Sequence, residues 1–91
     1  MLKDSFENDF GRINFNEVYI KETQEEFSFK KIALILIVKK TSFLVIGKLF
    51  IRIVFTNATS KYYLIKKKRK KDAIDFETQF LRLRNINTNL D

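Results

Sequence analysis

Residues 48–55 read Lys48-Leu49-Phe50-Ile51-Arg52-Ile53-Val54-Phe55, and this octet decides the fold. On an extended chain Lys48, Phe50, Arg52 and Val54 fall on one side, and Leu49, Ile51, Ile53 and Phe55 on the other. A period of two predicts a strand with one wholly apolar face. Upstream, Phe27–Lys40 is equally dense in Ile, Leu and Val, and a turn around Lys39-Lys40-Thr41-Ser42 would set the two segments antiparallel. Downstream, Thr56-Asn57-Ala58-Thr59-Ser60 is a cluster of turn formers that leads into a short strand over Lys61–Lys67. Asn57-Ala58-Thr59 has the form of a glycosylation acceptor, but no signal peptide precedes it, and it reads as part of the turn.

The C-terminal third changes period. Ala73, Phe76, Phe80 and Leu83 recur at 3-4-3 spacing, joined by Ile74 and Leu81, which predicts an amphipathic helix over residues 72–85. Asp72 has the chemistry of an N-cap, and Arg82 and Arg84 lie where the negative end of the helix dipole favours cations. Residues 86–91 read as a tail. At the other terminus, Asp4-Ser5-Phe6-Glu7 has capping-box spacing, Leu2, Phe6 and Phe10 share a helical face, and Gly11 would end the turn. A short N-terminal helix is expected there, then a strand over Arg12–Ile20 and a polar connection over Lys21–Glu26. The expected fold is α+β: a small antiparallel sheet of three to four strands, the C-terminal helix on one face, and the short N-terminal helix. One domain spans 1–91, with an acidic segment 1–26 and a strand-rich core 27–67.

Composition removes whole classes of chemistry. The 91 residues contain no Cys, His or Pro, so disulfides, thiolate or imidazole metal sites and imidazole-based triads are excluded. Ser42–Leu49 ends in Gly-Lys, but it has Ser where a phosphate loop needs its first Gly and Leu where it needs a hydroxyl. The carboxylates at Asp4, Glu7 and Asp9 and at Glu17, Glu22, Glu25 and Glu26 include no Asp/Glu-x-Lys triplet and read as a solvated acidic face. No catalysis and no cofactor are expected. The apolar zone Ile32–Phe55 is interrupted by Lys39, Lys40, Lys48 and Arg52, each costing about 2.5–3.5 kcal/mol at mid-membrane, so no transmembrane span is expected. With no apolar signal region near Met1, the expected location is intracellular, in cytoplasm or organellar matrix.

Charge is what remains. The chain carries 18 Lys and Arg against 11 Asp and Glu, a net +7. Residues 1–26 balance to −4, while residues 27–91 balance to +11, with no acid between Phe27 and Lys71. Phe, Ile, Lys, Tyr and Asn supply 44 residues, the mark of an AT-rich genome, and that bias also swells the Lys count. The asymmetry has two readings, a polyanionic partner or self-neutralisation by the acidic segment. The densest window is Lys61-Tyr62-Tyr63-Leu64-Ile65-Lys66-Lys67-Lys68-Arg69-Lys70-Lys71, seven cations with two tyrosines and no acid. Such runs bind phosphate backbones through counterion release, and tyrosines stack on unpaired bases. Lys48 and Arg52, flanking Phe50, would extend this surface across a sheet; the competing reading covers Phe50 with the C-terminal helix. The expected function is a non-catalytic basic module contacting a nucleic-acid backbone, RNA in a ribonucleoprotein such as an organellar ribosome. The alternative is a structural subunit or adaptor docking on an acidic protein or membrane complex.

Overall fold

A computed structural model describes residues 4–40 and 47–90, with side chains described through residue 86. Residues 5–28 form a four-stranded antiparallel meander of β1 (Ser5–Glu7), β2 (Gly11–Asn14), β3 (Glu17–Ile20) and β4 (Glu25–Ser28). The short helix expected at Asp4-Ser5-Phe6-Glu7 is therefore not formed. Residues four apart share a face in a strand as well as in a helix, so the Phe6–Phe10 spacing suits either. Phe6 pairs with Ile13, Ile13 with Val18 and Val18 with Phe27, one inward apolar row across all four strands. The Arg12–Ile20 strand is likewise two strands. The Asn14 side chain accepts the N–H groups of Asn16 and Glu17 at 2.8 and 2.9 Å, closing a turn between them.

A 3-10 turn at Phe29–Lys31 buries the Phe29 ring and carries the chain into a second antiparallel sheet. Its strands are β5 (Ile32–Lys40), β6 (Lys48–Phe55) and β7 (Ser60–Leu64), in that order. There are thus two small sheets where one was expected. Lys39 and Lys40 remain in β5, opposite Leu49 and Lys48. Thr41 and Ser42, the rest of the expected turn, lie outside the described residues, as do residues 43–46. The octet at 48–55 is a strand as read, with Ile51 and Ile53 buried.

A second 3-10 turn at Lys67–Arg69 opens α1 (Lys70–Leu90), the one α-helix among the described residues. The helix begins before Asp72, which sits inside its first turn, and it continues past Asn85 to Leu90, where a tail was expected. Ala73, Phe76, Phe80 and Leu83 are buried. Ile74 and Leu81 are not; they form a separate exposed row on the outer side of the helix. Both sheets and the helix share one core, tied by ring pairs Phe10–Phe76 and Phe29–Phe80 at centroid distances of 5.0 and 5.2 Å. Asn8 bridges the layers. Its Oδ1 accepts the N–H groups of Phe10 and Gly11, and its Nδ2 donates to the Asp72 carbonyl at 2.9 Å. No helix among the described residues is long and apolar enough to cross a membrane.

Candidate nucleic-acid interface

The inner face of the second sheet faces the core, so its outer face carries the alternate residues. Register sets Leu36, Arg52 and Tyr62 in one row and Val38, Phe50 and Leu64 in the next, with Lys40 opposite Lys48 at the end. Phe50 therefore lies on the face turned away from the core, and the reading that put it under the helix does not hold. The Lys40 ammonium lies 3.9 Å from the Tyr62 ring centroid and 5.6 Å from that of Phe50. Arg52 flanks Tyr62 at 5.8 Å and donates from Nε to the Ser60 hydroxyl. Tyr62 is 43% exposed.

Where β6 begins and β7 ends, this face runs into a groove of about 540 Å³. Lys48, Lys66, Lys67 and Lys70 line it over an apolar floor of Leu49, Leu64 and Ile65, and no carboxylate is among the lining residues. Lys67 and Lys70 arrive together because side chains three apart eclipse in a 3-10 turn. Lys66 occupies the N-cap position of that turn without a side-chain cap bond, so the cations gather at the positive end of the helix dipole. The arrangement is repulsive in itself, a condition that a bound anion relieves.

Other cations of the run meet the acidic sheet, and so does Lys66 from the groove itself. Lys61 pairs with Glu25 at 2.6 Å, Lys66 with Glu22 at 3.0 Å and Arg69 with Asp9 at 3.5 Å. Hydrogen bonding to Lys61 holds the Glu25 carboxyl below the usual carboxylate range. Self-neutralisation is thus real but partial: Lys67, Lys68, Lys70 and Lys71 have no ion pair among the described residues. All three bridges are substantially exposed, and such pairs are worth about 0–1 kcal/mol each, so they do not lock the surface.

The structure separates the two tyrosines. Tyr62 looks outward, whereas Tyr63 packs against the core. The Tyr63 hydroxyl is buried without a hydrogen-bond partner among the described residues. Burial first, and then the nearby Glu25 carboxylate, push its phenol well above the ordinary range. Of the residues singled out from sequence, Lys48, Lys66, Lys67 and Lys70 converge on the groove, and Arg52 and Tyr62 lie on the adjoining face. Lys61, Arg69 and Tyr63 are turned toward the acidic sheet or the core. Lys68 lines a different, mixed-charge recess with Asp9, Glu22 and Arg69, and Lys71 is exposed on the helix. Lys40 escaped sequence reading because it was placed in a turn; counting register back from Lys48 across the hairpin would have found it.

Among the described residues no group of three or more ligating side chains gathers that could hold a metal ion. No family model, no curated protein and no solved structure matches this chain, so the surface stands on its own chemistry.

Proposed function

We propose that this chain is a non-catalytic module that binds the phosphate backbone of a nucleic acid, RNA in a ribonucleoprotein being the expected setting. One observation carries the reading: Lys48 on β6, Lys66 and Lys67 at the 3-10 turn and Lys70 at the start of α1 line one groove with no carboxylate among its lining residues, and of the four only Lys66 has an ion pair among the described residues. Lysine ammoniums in that arrangement displace the counterions of a polyphosphate, so binding is electrostatic and weakens steeply with salt.

The test is a salt titration of binding to a labelled single-stranded RNA. The log of the affinity should fall by about 0.7 per tenfold salt for each phosphate neutralised. Changing Lys48, Lys67 and Lys70 together to Gln should flatten that slope by two to three phosphates and leave the unfolding midpoint nearly unchanged, because all three side chains are exposed. Equal slopes for the wild type and the variant, or no binding at low salt, would overturn the proposal.

A second reading has one observation behind it. Leu34 and Leu64 are each more than 40% exposed on the outer face of β5 and β7, which suits docking on another protein. That reading predicts association with a protein surface that persists at high salt, because apolar contact rather than charge would carry it.

A further inference from the structure

The outward faces of the two sheets differ in kind. Across the first sheet one outward row is Glu7, Arg12, Tyr19 and Glu26, polar as a solvated antiparallel face should be. Across the second the rows are Leu36–Arg52–Tyr62 and Val38–Phe50–Leu64, and every formal charge on the face is positive. A symmetric pair of copies joined through this face would set those cations against each other. Charge complementarity calls for an anionic occupant with flat apolar parts.

We propose that this face is a platform on which Phe50 and Tyr62 each stack one unpaired base, making the ligand of the adjoining lysine groove a single strand. The inference rests on the backbone-binding reading above and adds the substrate class to it. Phe50 and Tyr62 are diagonal neighbours on paired strands, a relation that spaces them about 7–8 Å apart. Bases stacked in a duplex rise only about 3.4 Å per step, so a duplex cannot offer one base to each ring, while a splayed single strand can. Leu64, beside Phe50 in the register, also lines the groove, so bases on the rings leave the backbone beside Lys48 and Lys66.

Lys40 sets the entry condition. Its ammonium stands over both rings, in the space a base must take. A ligand that brings a phosphate offers Lys40 another partner, and an uncharged aromatic does not. Lys40 is therefore a specificity-determining residue that favours nucleotides over neutral flat molecules.

The experiment compares three labelled probes at one salt concentration: a single-stranded oligonucleotide, a hairpin duplex of equal charge, and a neutral-backbone peptide nucleic acid. The wild type should prefer the single strand to the duplex by at least about tenfold. Truncation of Phe50 and Tyr62 together to Ala should weaken the single strand by about tenfold per ring, with duplex affinity and salt slope unchanged. Lys40→Met should strengthen binding of the neutral probe and flatten the single-strand salt slope by about one phosphate. The Phe50→Leu/Tyr62→Leu pair keeps an apolar surface and guards against a folding artefact; it too should lose the single-strand preference. If salt-dependent binding persists and the Ala or Leu pair binds as the wild type does, the platform falls while the backbone reading stands. If no nucleic acid binds at all, both fall. Retention by Leu together with loss by Ala would mark an apolar docking face for protein and overturn the inference.

Discussion

The carboxylate of Glu77 on the helix accepts a hydrogen bond from the backbone N–H of Ile37, 2.8 Å away on the outer edge of β5. Arg84, two turns further along the helix, donates to the carbonyl of Ile32 on the same edge at 3.0 Å. An exposed strand edge is a template for pairing with another chain, and these two side chains occupy donor and acceptor positions on it.

Glu77→Ala should accordingly lower stability by about 1.5–3 kcal/mol, the range for hydrogen bonds to charged groups. It should also make the protein self-associate through the freed edge. Urea unfolding and sedimentation velocity over a range of concentrations check the two effects separately. A Gln at this position retains an acceptor and should associate less.

Gly11 tolerates no side chain. A Cβ there would stand 2.1 Å from the Tyr19 carbonyl oxygen and 2.8 Å from the Phe76 ring. The first obstacle is backbone of the paired strand and cannot rotate away. Gly11→Ala should cost more than the roughly 1–3 kcal/mol of ordinary overpacking, and its thermal transition should be lost or strongly lowered.

Phe80, 2% exposed and packed on the Phe29 ring, is the largest buried side chain in the C-terminal half of the helix among the described residues. Truncation to Ala should cost about 3–5 kcal/mol by denaturant titration.

Tyr63→Phe should leave stability at neutral pH equal or slightly higher, since it removes a buried hydroxyl that has no partner among the described residues. The sign at high pH follows from linkage. The folded phenol holds its proton more tightly than an unfolded one, so stability falls as pH rises past the ordinary tyrosine value of about 10. The Phe variant lacks that contribution. Its advantage over the wild type should therefore widen between pH 9 and 11, read by urea midpoints; a constant difference would count against a buried phenol. On the acid side, Glu25 has a lowered pKa, so its pairing with Lys61 supports the fold above the carboxylate range and is lost as pH falls through it. That contribution is small because the pair is exposed.

The helix face and the period-two octet were legible in the sequence because each rests on several residues that agree. Ala73, Phe76, Phe80 and Leu83 allow only one periodicity, as do Leu49, Ile51, Ile53 and Phe55. The N-terminal meander was not legible, because its strands are three or four residues long and too short to show a period. Gly11 looked like a helix stop, yet its reason is the approach of Tyr19 and Phe76, a tertiary fact. Turn chemistry at Asn14 and Asn16 was the available signal for the first sheet. The charge run was visible, but its division was not. Which cations are neutralised depends on Glu22, Glu25 and Asp9, at least 36 residues away in sequence, and on the 3-10 turn that brings Lys67 beside Lys70.

The Asn8–Asp72 hydrogen bond, between residues 64 apart, also bears on the order of folding. Every strand in both sheets pairs with its immediate neighbour in sequence, so each pairing closes a short loop at low entropic cost. The helix alone must return across the length of the chain. During synthesis the sheets can form first, but their apolar inner faces stay bare until Leu83 has emerged. The order this topology favours has the sheets forming in the rate-limiting step and the helix docking afterwards. Leu83→Ala should therefore speed unfolding while hardly slowing folding, a split that stopped-flow chevrons resolve.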